Sequence, residues 1–236
     1  MPFGLVFSME DPLKRIVWDT LTGPHSSFST GTTTVRRYAP GFSPIVGFES
    51  VENLNFDELN AFCGVGEKLY VGGWSGLPNR SWNIDFETTV RQMVWAGTST
   101  VAEESMDAIR LGPEHVPQAL DLAELTHPGP FGPRTIELGE YFGIFEGARL
   151  VAMAGERMFN GTLREISGVC THPEFRGKGL ARRLMMKLIY RQLRRNEKPF
   201  LHVLNDNANA HALYERMGFY DQHELALRVI SRCEKG

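Results

Sequence analysis

The chain has few cysteines, no long apolar run and almost no excess charge, and each of these lacks removes a class of protein. Cys63, Cys170 and Cys233 are the only three cysteines in 236 residues. They are odd in number, widely spaced and without a CxxC pair, so no disulfide framework or zinc knuckle is written into them. Reduced thiols and a cytoplasmic location fit that usage. No stretch approaches about 20 uninterrupted apolar residues, so no membrane span is expected. The opening Met1 to Glu10 is apolar but lacks a basic leader and meets Glu10 and Asp11, so it does not read as a signal core. A formal net charge of −3 gives no global attraction to nucleic acid or an anionic membrane, and neither is expected as a partner. No histidine pair has HxH or HExxH spacing, and no metal site is expected.

What is present is an ordinary globular composition, 42% apolar, with enough length for one large or two small domains. The small, polar run Ala96 to Thr100 precedes a new apolar pattern after Met106, which predicts a boundary around 97–105. An N-terminal α/β domain over 1–100 and a second α/β unit over 106–236 are expected. In the first, Pro12 to Leu21 and Phe56 to Cys63 read as helices, and Thr33 to Tyr38, Ile45 to Glu49, Lys68 to Val71 and Phe86 to Trp95 as strands. Their order echoes the end of the second half, so a degenerate copy of the same half-fold is one reading of the first.

In the second half, Ala108 to Leu111 is a short strand and Pro113 to Leu125 a helix, followed by a loop, 126–134, rich in helix breakers. Tyr141 to Glu146 and Leu150 to Phe159 read as a hairpin, with Arg164 to Thr171 paired to it. From Gly179 to about Asn196, Leu180, Leu184, Leu188 and Met185, Ile189, Leu193 recur at helical spacing. Arg183, Lys187, Arg191 and Arg195 form a basic stripe on that helix, read as a solvated face. Phe200 to Leu204 is a strand, Asn209 to Met217 a helix closed by Gly218, and Phe219 to Ile230 a final strand or pair of strands.

One run carries chemistry. Val169-Cys170-Thr171-His172-Pro173-Glu174-Phe175-Arg176-Gly177-Lys178-Gly179-Leu180-Ala181 joins a strand to a helix through a basic turn with two glycines. A helix start has unpaired N–H groups and the positive end of the dipole, so it attracts phosphate. Glycine lets the backbone approach the ligand. A magnesium-holding phosphate loop would need Gly-Lys-Ser/Thr, whereas Gly179 follows Lys178. A dinucleotide fingerprint would need a third small residue where Arg182 stands.

Arg176-Gly177-Lys178-Gly179-Leu180-Ala181 resembles the Arg/Gln-x-x-Gly-x-Gly/Ala turn of the GNAT superfamily of acetyl-CoA-dependent N-acetyltransferases. Asn207-Ala208-Asn209-Ala210-His211-Ala212-Leu213-Tyr214-Glu215-Arg216-Met217-Gly218-Phe219 is similar to a second GNAT motif, Asn-x-x-Ala-x-x-Leu-Tyr-x-x-x-Gly-Phe. The resemblance covers roughly 107–230, and 128–158 looks like the subgroup with an additional N-terminal domain. It implies a central mixed, splayed sheet flanked by helices, and acetyl-CoA as the acyl donor. The pyrophosphate would lie on the amides of 177–181, near Arg176 and Lys178, with Arg182 or Arg183 at the ribose phosphate. The pantetheine arm would run between the strand ending at Thr171 and Phe200 to Leu204, bonding to Val169 and Thr171 beside Cys170. Asn207 would contact that arm, and a backbone N–H near Val169 would face the thioester carbonyl.

Acyl transfer to an amine needs a neutral nucleophile, a polarised carbonyl and a proton for the leaving thiolate. Tyr214 matches the family's acid, while Glu156 and Glu165, on the two central strands, are the candidate bases. His172 and His202 read as packed side chains. His127, Phe131 and Arg134 are candidates for acceptor binding, because in the family this region covers the acceptor site. Trp74 and Trp82 are candidate cleft aromatics, more commonly core. The expected acceptor is a small-molecule or peptide amine, and the expected assembly a monomer or homodimer. The alternative is a non-catalytic acyl-CoA sensor or scaffold whose N-terminal domain fills the acceptor channel.

Overall fold

The computed structural model describes residues 11–52, 54–97 and 107–234. Residues 1–10 and the expected boundary beyond residue 97 lie outside them. Helix α1, Ile16–Thr22, buries Ile16 and Leu21 and is followed by a small antiparallel sheet of β1 (Ser29–Gly31), β2 (Val35–Tyr38) and β3 (Val46–Phe48). The short helix α2, Phe56–Leu59, starts at Asn55, whose side chain accepts from the Glu58 N–H. Then come β4 (Lys68–Gly72), the long β5 (Trp82–Trp95), β6 (Ile109–Arg110) and α3 (Val116–Thr126). The rest alternates: β7 (Tyr141–Glu146), β8 (Arg149–Phe159), β9 (Leu163–Thr171), α4 (Leu180–Arg194), β10 (Lys198–Leu204), α5 (Ala208–Arg216) and β11 (Phe219–Arg232).

Eight strands form one mixed sheet in the order β4-β11-β5-β10-β9-β8-β7-β6. The division near residue 100 is therefore a division of the chain and not of the sheet. Strand β5, from the first hundred residues, lies between β10 and β11, with Phe200 opposite Val94 and Phe219 opposite Trp95. β4 and β5 do not pair with each other, because β11 stands between them, and β2 and β3 belong to the small sheet, so the strands of the echo do not form one sheet of their own. The final segment is a single strand, bulged at 221–223 and 229–230, and not a hairpin.

Helix α4 packs on β8, β9 and β10 through Leu184, Met185, Leu188 and Ile189, all fully buried. Its stripe of cations is partly solvated, as expected, but it is also ion-paired, and Lys187 leaves it for the interior. Lys187 is buried with its ammonium over the Phe142 ring, Arg191 and Arg195 bind Glu140, and Arg183 binds Asp107. The opposite side of the sheet is covered by α3 and α1. Among the described residues no helix is long and apolar enough to cross a membrane, and no cluster of side chains could hold a metal ion.

Candidate active site

Strands β9 and β10 are paired in parallel only from Leu163 to Glu165 and from Lys198 to Phe200. Beyond those residues β9 continues with β8 and β10 with β5, so the sheet is split. On the β9 side of the split there is a bulge. Cys170 lies opposite Met153 and Ser167 opposite Gly155, leaving Gly168 and Val169 facing Ala154 alone. Gly168 has φ +64°, the left-handed backbone that such a bulge needs.

Past Thr171 the chain makes the glycine turn and enters α4. Gly177 and Gly179 have φ of +78° and +73°, and a Cβ on either would meet no atom within 4 Å. The first backbone bond of the helix runs from the Arg183 N–H to the Gly179 carbonyl at 3.1 Å, so the amides before it have no intrahelical acceptor. These amides, the open space above both glycines and the exposed Arg176 and Lys178 suit a phosphate chain. Leu180 turns inward to the core, and Arg183 is already paired with Asp107.

A cavity of about 970 Å³ occupies the split and continues across the face of β10, β5 and β11. Val169, Asn207 and Tyr214 wall it at the split, and His127 and Phe131 border it from the loop after α3. Its other wall is apolar, with Tyr70, Val90, Leu225 and Leu227 from the sheet facing Ile16 and Ile45 from the first half of the chain. Among the described residues, these N-terminal segments line the space and do not fill it. Asn207 caps α5, its side chain accepting from the Ala210 N–H at 3.2 Å.

Other expected residues lie elsewhere. Glu156 does not border the cavity. It is buried under the end of α4, accepting from Gln192 Nε2 at 3.1 Å and paired with Arg195. Its neighbour Arg157 points to the other face, as alternation along a strand requires, and does border the cavity. Arg134 is exposed. It forms a two-point ion pair with Glu137 and covers the Phe42 ring at 4.3 Å, so it stitches two loops together and does not reach the cavity. Trp74 and Trp82 are core side chains stacked around Phe56.

Glu165 is fully buried behind the cavity wall. Its Oε2 accepts from Arg157 Nε at 2.9 Å, and its Oε1 accepts from Arg157 Nη2 at 2.6 Å and lies 2.8 Å from His202 Nδ1. Burial pushes this carboxyl up, but the Arg157 guanidinium and the His202 hydrogen bond outweigh burial and bring it to about 2. A carboxylate so held is a fixed anion at neutral pH and no proton acceptor.

The overall fold recurs in solved structures. A crystal structure from Novosphingobium aromaticivorans, named for an acetyltransferase of the GNAT family, is 31% identical and superposes with a TM-score of 0.86 over 95% of this chain and 100% of that one. This chain belongs to the GNAT family. Residues 141–228 also match the FR47-like protein family. The fold is shared, at 14% identity and a TM-score of 0.58, with a GCN5-related N-acetyltransferase from Kribbella flavida, over 94% of this chain and 96% of that one. A GCN5-related N-acetyltransferase-like protein from Streptococcus suis aligns similarly, at 13% identity and 0.57, over 93% and 96%. No curated protein matches the sequence significantly.

Within this GNAT fold, Tyr214 is buried, with its ring edge-on to Phe219. Burial, with the Cys170 thiol nearby, pushes its phenol up to about 12, so it carries its proton at neutral pH. Burial likewise raises Cys170 to about 11, which makes it an inert core thiol. His202, Arg157 and Gln92 border the cavity without having stood out as candidates. A signal for them existed. Arg157 and Glu165 are opposite charges on neighbouring strands, and a buried charge requires a partner.

Proposed function

We propose that this GNAT protein moves an acetyl group from acetyl-CoA to a primary amine of a small molecule or peptide by direct attack in a ternary complex. One observation carries the reading: a single strand, β9, leads from a cavity walled by Val169 and Tyr214 to a turn whose two left-handed glycines leave room for phosphate. Acetyl-CoA supplies the activated acetyl group. Amides at the start of α4, with Arg176 and Lys178, hold the pyrophosphate, and Val169, Thr171 and Asn207 line the path of the pantetheine arm. The bulge at Gly168 turns the backbone toward the cavity, where the Val169 N–H can polarise a carbonyl. Tyr214, kept protonated by its burial, donates to the leaving sulfur. His127 and Phe131 border the acceptor entrance.

Calorimetry with acetyl-CoA, followed by assays over a panel of amines and short peptides, tests the reading. Binding with turnover is expected, and Tyr214→Phe should lower kcat by about 100-fold or more while leaving acetyl-CoA affinity in place. Absence of acetyl-CoA binding overturns it. Binding without turnover of any amine leaves the sensor alternative in its place.

A further inference from the structure

We infer that His202 is the residue that takes the proton from the attacking amine, with Glu165, Arg157 and Gln92 as its positioning groups. This rests on the acetyl-transfer reading and adds the proton acceptor to it. Three observations converge on the imidazole. First, it borders the same cavity as Tyr214 and Val169, from the strand on the other side of the split. Second, its Nδ1 lies 2.8 Å from Glu165 Oε1. An ionised carboxylate can only accept, so Nδ1 carries the hydrogen, and in the neutral imidazole the lone pair belongs to Nε2.

The third concerns Gln92. Its Nε2 lies 3.1 Å from the Leu13 carbonyl and 3.1 Å from His202 Nε2. A carbonyl must be met by a donor, so the amide nitrogen faces both groups and donates to both. That arrangement again requires an unprotonated Nε2. It also leaves Gln92 Oε1 buried without a hydrogen-bond partner.

Several charged and titratable groups surround this site. Arg157 on β8 and Glu165 on β9 form the ion pair behind the ring, with the hydroxyls of Tyr38 on β2 and Tyr141 on β7 beside that pair. On the β11 side His223 stands opposite Gln92 in the ladder, paired with Asp11 at 2.6 Å. Of these, Glu165 is the anion in hydrogen-bond contact with the imidazole, and it stabilises the imidazolium that forms. In the step itself the amine nitrogen bonds to the acetyl carbon and its proton passes to His202 Nε2, displacing the Gln92 N–H. The C–S bond breaks, the sulfur takes the Tyr214 proton, and solvent returns the His202 proton to the tyrosinate.

The test is His202→Asn, whose amide N–H can still serve Glu165 but cannot accept a proton at neutral pH. With the fastest amine of a panel containing phenethylamine, L-leucine amide and a short peptide, kcat should fall by about 100-fold or more. Acetyl-CoA affinity by calorimetry should stay unchanged. The one-proton acid limb of kcat/KM should give way to the titration of the free amine. Independently of turnover, nitrogen-15 NMR of the wild-type imidazole should show Nδ1 protonated and Nε2 bare, a pattern that Glu165→Gln removes. A variant rate within about threefold of wild type, an unchanged pH profile, or an Nε2–H tautomer in the wild type overturns the assignment while acetyl transfer stands. A wild-type protein that acetylates no amine overturns both.

Discussion

Arg157 and Glu165 face each other across β8 and β9 with two parallel hydrogen bonds, 2.9 and 2.6 Å long, and both side chains are nearly or wholly shut off from solvent. A pair so buried gives little net stability over a well-packed apolar pair, but it is sensitive to the loss of one partner. Arg157→Leu should therefore cost about 3–5 kcal/mol in urea unfolding, because it strands a buried anion. Arg157→Leu with Glu165→Leu should recover most of it. The pH dependence has a definite sign. Glu165 titrates below its ordinary value in the folded state, so its contribution is present above about pH 4.5 and drains away as pH falls toward 2. The unfolding free energy should fall with acid across that window in the wild type and depend less on pH in Glu165→Gln.

The glycine cradle permits a cleaner separation of fold from binding. Gly179 and Gly161 both have positive φ, +73° and +96°, and at both a Cβ would meet nothing within 4 Å. A valine at either should lose about 1–2 kcal/mol to backbone strain. Only Gly179→Val also places methyl groups where the phosphate would lie. It should weaken acetyl-CoA by about 100-fold or more, the loss of two charged hydrogen bonds. Gly161→Val should bind as the wild type does. Equal affinities in the two variants would remove the pyrophosphate from this turn.

How much of this was legible in the sequence depends on how far apart the cooperating residues stand. Helix α4 could be read directly, since Leu180, Leu184 and Leu188 repeat within one element and all face the core. The glycine turn and the segment around Tyr214 could be read for the same reason, being contiguous. Insertion of β5 between β10 and β11 could not, because Trp95 and Phe219 carry no local mark of a partner more than a hundred residues away. The base was harder still. Glu156 and Arg157 are adjacent charges in a largely apolar strand, but a one-residue step reverses the face, and nothing local says which of the two points to the cavity. His202 gains its meaning only from Glu165 and Gln92, on the strands to either side of it.

Gly155 shows how tightly this part of the sheet is built. Tyr141 lies opposite it on β7, and a Cβ at Gly155 would come within 2.2 Å of the tyrosine ring. The same ring approaches Gly168, where a Cβ would be 3.1 Å from it, so Tyr141 packs beside the bulge that sets the Val169 amide. Gly155→Ala must displace the ring that packs beside that bulge. Overpacking of this kind should cost about 3 kcal/mol, a fall in Tm of roughly 6–12 °C. Gly64→Ala, whose nearest contact would be 3.8 Å, should leave Tm unchanged. Adding Tyr141→Leu to Gly155→Ala removes the obstructing ring and should restore much of the lost stability. If the bulge has shifted, kcat should drop in the single variant beyond what the fraction folded explains. A Gly155→Ala protein with wild-type Tm and kcat would show that the ring is free to move and that the bulge is set by something other than Tyr141.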